Sequence, residues 1–132
     1  MTTAESRLNS LLSQNLTVEQ LVKKIIYNHI MAVFDEAPNI SIFFTEKAHL
    51  PVRYHKEINK RRREYEEKIA EVLRKGVQED VLKKDIEILP TVYAILGMCN
   101  WLYHWYDPNG RLKPEELSKL YADIVLDGIR YS

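Results

Sequence analysis

The chain has 132 residues, a size typical of one domain, and its 19 basic and 19 acidic side chains leave no net charge. A protein held mainly by the nucleic-acid phosphate backbone normally carries a basic excess, so this balance argues against such a role. Hydrophobic residues make up 45% of the chain and only four glycines interrupt it, which favours a bundle of helices.

The N-terminal half of the sequence predicts three helices. Residues 4–12 predict a short polar helix. They lack the basic start and apolar run of a signal peptide. Together with the single cysteine, this predicts a cytoplasmic protein. Residues 17–20, Thr-Val-Glu-Gln, form a capping box that opens a second helix with apolar residues at helical spacing. His29 lies on that apolar stripe, where we expect a buried, hydrogen-bonded side chain, with a ligand contact as the alternative. Residues 39–44 predict a short, very apolar helix.

The C-terminal half predicts three longer segments. Pro51 opens a helix that reaches residue 75, with Gly76 as its expected C-cap. Nine basic and five acidic residues give positions 53–75 a net charge of +4, which indicates a solvated face or, alternatively, a surface for an anionic ligand tail. Residues 85–106 are apolar on nearly every side, so we expect burial on one side and a partner on the other. After a turn at residues 107–110, Pro114 opens the last helix.

The chemistry-bearing residues form no recognisable catalytic or metal motif. None of the four histidines has a second one three or four residues away, and Cys99 has no cysteine companion. The sequence has no glycine-rich phosphate loop and no Gly-x-Ser-x-Gly motif. We therefore expect neither an enzyme nor a metal or cofactor, and no segment reaches the ~18 apolar residues of a membrane span. A helical enzyme with catalytic groups drawn from scattered residues stays open as an alternative.

The segment at residues 97–117, GMCNWLYHWYDPNGRLKPEEL, resembles the last two helices of TetR-type transcriptional regulators. In that family a Gly-x-x-Asn-Trp-x-x-x-Trp-Tyr run leads into a Pro-x-Gly-x-Leu-x-Pro-Glu-Glu turn. Residues 16–21, 62–66 and 121–129 fit the same family pattern, so the resemblance covers almost the whole chain. It is closest to the subgroup that senses acyl-CoA thioesters. The resemblance implies an all-α fold, a single bundle of about six helices over residues 1–132.

The sequence departs from the family pattern in three places. The family has a helix-turn-helix DNA-binding head before this region, which residues 1–15 cannot form, so we expect no DNA-binding domain in this chain and no DNA binding by it alone. Asp80 and Leu82 replace a glycine and an aromatic residue that usually follow the central helix. Lys113 replaces the usual N-cap serine or threonine, which weakens that cap by about 1 kcal/mol.

The resemblance implies a homodimer in which the last two helices pack against those of a second copy, with a small apolar or acyl-CoA-like ligand among the preceding helices. The expected interface residues are Ala94, Gly97, Met98, Trp101, Trp105, Leu120 and Ile124. The expected ligand-binding residues are aromatic, apolar or amide side chains: Tyr27, Met31, Phe34, Phe43, Tyr65, Ile69, Tyr93 and Asn100. Two functions follow: the regulatory domain of a transcriptional repressor, or a headless dimerisation module that pairs with a full-length regulator.

Overall fold

The computed structural model describes residues 3–35 and 52–131, which form five α-helices. These are α1 (Thr3–Leu12), α2 (Val18–Asp35), α3 (Val52–Gln78), α4 (Ile88–Trp105) and α5 (Pro114–Ile129). Within these two ranges the structure has no strand, only an isolated antiparallel bridge between Leu82 and Arg130. The prediction of an all-α fold is confirmed, and the helix predicted at residues 39–44 lies outside the described residues.

Helix α2 lies at the centre of the bundle and contacts each of the other four helices. Apolar residues at helical spacing place Val22, Ile26 and Ile30 deep in the core. The predicted capping box opens this helix: the Gln20 N–H donates to Thr17 Oγ1 at 3.2 Å, and the Thr17 N–H donates to Gln20 Oε1 at 3.0 Å. Local sequence therefore sets where the central helix begins, and its apolar face sets how the others pack.

The end of α3 corrects one prediction. The helix continues two residues beyond Gly76, so the expectation that this glycine caps it is wrong. A Cβ at Gly76 would lie 2.6 Å from Leu82 Cδ1 and 2.8 Å from Val18 Cγ1, so the glycine permits close packing. The left-handed residue is Asp80, with φ 59°, and the Leu82 N–H donates to the Gly76 carbonyl at 3.0 Å. Asp80 thus adopts the conformation that a glycine favours.

The last two helices begin close to their predicted positions. Helix α4 starts at Ile88, three residues after the predicted start at Asp85. Helix α5 starts at Pro114, where the Lys113 N–H donates to Glu116 Oε1 at 3.1 Å and so satisfies one free backbone donor without a serine or threonine. No helix in the described part of the chain is long and apolar enough to cross a membrane.

Candidate functional site

Helix α4 presents three different faces. Its core face consists of Val92, Ile95, Leu96, Cys99 and Leu102. Its apolar face leaves Trp101 61% and Trp105 50% exposed. Its polar stripe carries Tyr93 and Asn100, which lie two turns apart and differ in direction by about 20°, because each helical residue turns by about 100°. These three faces explain the sequence pattern: one apolar side is buried in the core and a second apolar side faces outward.

The exposed apolar face of α4 has a counterpart on α5. Both helices pack on α2, and α5 leaves Leu120 and Ile124 exposed, the latter at 54%. A Cβ at Gly97 would meet nothing within 4 Å, so the surface around it is open. Six of the seven predicted interface residues are exposed in the single chain, and Met98 is half-buried. Large apolar side chains left exposed on a small protein are typical of a contact surface.

A buried hydrogen-bond network joins α2, α3 and α4. His29 is 9% exposed and Tyr65 8% exposed. His29 Nδ1 lies 2.8 Å from the Tyr65 hydroxyl, and His29 Nε2 lies 2.7 Å from Asn100 Oδ1. The prediction of a buried, hydrogen-bonded His29 is therefore confirmed.

The chemistry of the three groups sets the direction of each hydrogen bond. An amide oxygen only accepts, so His29 Nε2 carries the proton that it donates to Asn100. In the neutral ring Nδ1 is then an acceptor, and the Tyr65 hydroxyl donates to it. Burial raises the pKa of Tyr65 well above its ordinary value, with a smaller contribution from nearby Cys99, so the hydroxyl keeps its proton. The network thus runs from the Tyr65 hydroxyl through His29 to the oxygen of Asn100.

A groove with basic walls lies between α3 and α4, beside the polar stripe. Its volume is about 550 Å³, and its lining residues are Asn59, Arg62, Arg63, Glu66 and Tyr93. Arg62 Nε lies 3.8 Å from Glu66 Oε2, whose side chain is mostly buried. Arg63 donates from Nε to the Asn59 carbonyl at 3.3 Å. A groove that combines two guanidinium groups with an aromatic ring suits an anionic group attached to a flat ring system.

The remaining predicted ligand residues lie in other surroundings. Tyr27 lines a second groove, of about 660 Å³, between α1 and α2. Ile69 lies in the core. Met31 and Phe34 are half-buried, and the ring centroid of Phe34 lies 4.5 Å from that of Tyr106.

The structure therefore joins Tyr65 and Asn100 through His29, whereas Tyr93 lies in the groove between α3 and α4 and Tyr27 in the groove between α1 and α2. Phe43 lies outside the described residues. The sequence did not indicate the contact between His29 and Asn100, although a histidine on an apolar stripe signals that a polar partner lies nearby. Among the described side chains no cluster of three possible metal ligands occurs.

Known proteins are similar to this chain in sequence and in fold. A family described as the tetracyclin repressor-like C-terminal domain matches residues 15–129. The HTH-type transcriptional repressor KstR2 of Mycolicibacterium smegmatis is 29% identical over 76 residues, which cover 57% of this chain and 37% of that protein. The chain thus spans little more than a third of that relative.

Two solved structures show the same fold. The ketosteroid transcriptional regulator KstR2 of Mycobacterium tuberculosis superposes with a TM-score of 0.88 at 18% identity, over 98% of this chain and 66% of that one. AibR in complex with isovaleryl coenzyme A and operator DNA superposes with a TM-score of 0.77 at 20% identity, over 91% and 65% of the two chains. Because the family match spans most of the sequence, this chain belongs to the tetracyclin repressor-like C-terminal domain family.

Proposed function

We propose that this chain is the effector-binding and dimerisation domain of a TetR-type transcriptional repressor, and that its ligand is an elongated apolar molecule on an anionic carrier, such as an acyl-CoA. The observation that carries this proposal is the division of α4 into three faces. One face packs in the core, one offers exposed tryptophans, and one runs from the buried network to the basic groove. A ligand on this helix would act directly on the contact between two copies.

The dimer part of the proposal rests on the exposed apolar residues of α4 and α5. Covering Trp101, Trp105 and Ile124 removes large apolar areas from water at about 25 cal/mol per Å². Interfaces of this permanent kind bury about 2,000 Å² or more. We therefore expect a homodimer in which the two helices of each copy pack together.

Sedimentation velocity of wild type and a charged variant tests the dimer. Ala94→Asp places a carboxylate on the exposed apolar face and should give a monomer or an aggregate, because an unpaired charge is costly to bury. Ser10→Asp adds the same carboxylate at an exposed position on α1 and should leave the dimer intact. A monomeric wild type at micromolar concentration contradicts this part of the proposal.

The ligand part rests on the charge and shape of the α3–α4 groove. Arg62 and Arg63 suit phosphate groups, and Tyr93 offers a ring face for a base. Met31 and Phe34 do not line this groove, but they are half-buried on α2, the helix whose His29 contacts Asn100, so we propose that their apolar surface meets the acyl chain. The structure of AibR with isovaleryl coenzyme A supports a carrier of this kind.

Thermal shift with a series of acyl-CoA chain lengths tests the ligand. Each added methylene contributes about 0.8 kcal/mol when buried, so longer chains should raise the apparent melting temperature further. Arg63→Gln should weaken binding about tenfold to a hundredfold, since a charge-assisted hydrogen bond contributes about 1.5–3 kcal/mol. Arg61→Gln is the matched control, because Arg61 lies on the same helix, pairs with Glu57 at 3.4 Å and does not line the groove.

The alternative function, a dimerisation module without a ligand, predicts a different result. No shift with any acyl-CoA or fatty acid, together with a stable dimer, would leave only that alternative.

We also expect no specific DNA binding by the 132-residue chain alone, because its net charge is zero and its described helices are all part of one bundle. A salt-resistant, sequence-dependent gel shift by the purified chain would contradict this expectation.

A further inference from the structure

We infer that Asn100 holds a preoriented amide N–H donor for a carbonyl oxygen of the ligand, which in an acyl-CoA is the thioester carbonyl. The inference rests on the proposed function and names the ligand atom that the site selects. Three observations carry it: the bond that fixes the amide, the buried groups behind that bond, and the open position in front of the amide.

The orientation of the Asn100 amide is set from behind. Its Oδ1 accepts from His29 Nε2 at 2.7 Å, which directs the Nδ2 group away from α2. With the ring proton on Nε2, turning the amide over would put its Nδ2 group opposite that proton, two donors face to face. A buried donor that loses its acceptor carries the full cost of its desolvation. The amide therefore offers a donor in one direction only.

The group behind the amide is itself held in place. The Tyr65 hydroxyl donates to His29 Nδ1 at 2.8 Å, which matches a ring with its proton on Nε2. The rings of His29 and Tyr65 also contact each other, with centroids 5.6 Å apart. His29 and Tyr65 are thus positioning residues that act through Asn100, and only Asn100 would touch the ligand.

The described part of the chain leaves the position in front of the amide open. Asn100 is exposed although its oxygen is engaged, and its Nδ2 has no protein acceptor among the described residues. Tyr93 precedes it by two turns on the same stripe, about 10 Å along the axis at 1.5 Å per residue, and lines the basic groove. An elongated ligand with its anionic end in that groove would pass Asn100 with its more apolar part. A carbonyl at this point would meet a donor that is already oriented.

The test compares two ligands that differ only in the carbonyl group. Dodecanoyl-CoA has the thioester carbonyl, and S-dodecyl-CoA, its thioether analogue, has a methylene in that place. Calorimetric titration of the purified full chain should show the thioester binding about threefold to tenfold more tightly, which is the range for a neutral hydrogen bond. This comparison uses only the wild-type protein, so it stands even where a variant fails to fold.

Two variants and a spectrum assign the difference to Asn100. Asn100→Asp keeps an acceptor for His29 and removes the donor, so it should abolish the preference for the thioester. Asn15→Asp makes the same change at an exposed position before α2 and should retain the preference. The carbon-13 resonance of a labelled thioester carbonyl should move downfield on binding to wild type and stay near its free position with Asn100→Asp.

Each result decides between the two proposals. Equal binding of thioester and thioether by wild type overturns the role of Asn100 while the proposed function stands. The role of Asn100 is also overturned if Asn100→Asp still prefers the thioester. It is likewise overturned if Asn100→Asp changes only the dimer dissociation constant. Absence of binding by either ligand contradicts the proposed acyl-CoA ligand itself.

Discussion

The substitution Gly97→Ala separates the stability of one subunit from the contact between two. In the single chain a Cβ at Gly97 meets nothing within 4 Å, so alanine adds helix propensity without a clash. A glycine-to-alanine change inside a helix stabilises by about 0.5–1 kcal/mol. In the proposed dimer the same methyl group enters the contact between helices, where overpacking costs about 1–3 kcal/mol. A two-fold interface contains the change twice, so the dimer dissociation constant should rise by at least about tenfold.

Two measurements on the same samples follow these opposite effects. Urea unfolding at concentrations where the subunits are separate should show a higher free energy of unfolding for Gly97→Ala than for wild type. A dilution series in sedimentation velocity should show weaker association. If the variant is more stable but associates as tightly as wild type, the helices do not approach closely at Gly97, and the argument for this face as the interface fails.

Three further predictions concern the core and the buried network. Gly76→Ala should lower the free energy of unfolding at every protein concentration, because its Cβ would lie 2.6 Å from buried Leu82. The expected loss is about 1–3 kcal/mol, reduced by the gain in helix propensity. An unchanged free energy in urea unfolding would show that Leu82 moves aside freely. Tyr65→Phe leaves His29 Nδ1 buried without its donor and should cost about 1–3 kcal/mol by the same assay; a neutral effect would show that another donor replaces the hydroxyl. Burial raises the pKa of Cys99 from 9.0 to about 12, so the unfolded thiol ionises first and the free energy of unfolding should fall as pH rises from 9 to 12. Cys99→Ala should show a smaller fall, and an equal fall in both proteins would assign the effect to other groups.

Local sequence determined much of the secondary structure. The hydrogen bonds of the capping box at Thr17 and Gln20 use only residues three apart, so the start of α2 could be predicted. Proline with acidic residues in the first turn likewise located the start of α5. The apolar pattern of residues 85–106 indicated that α4 has apolar side chains outside its core face as well as on it. The exposed side chains of Trp101 and Trp105 agree with that.

Tertiary structure decided the features that bring distant residues together. Gly76 lies within the helix, where Leu82 and Val18 pack closely against it. Asp80 adopts the left-handed conformation instead, and the local sequence does not indicate this. His29 meets Asn100, 71 residues further along the chain, so no local spacing could have indicated that contact. Spacing along a helix shows which residues share a face, but the partner of that face depends on how the helices pack together. For that reason the sequence could predict which side chains were candidates for the site, and only the fold showed which of them meet.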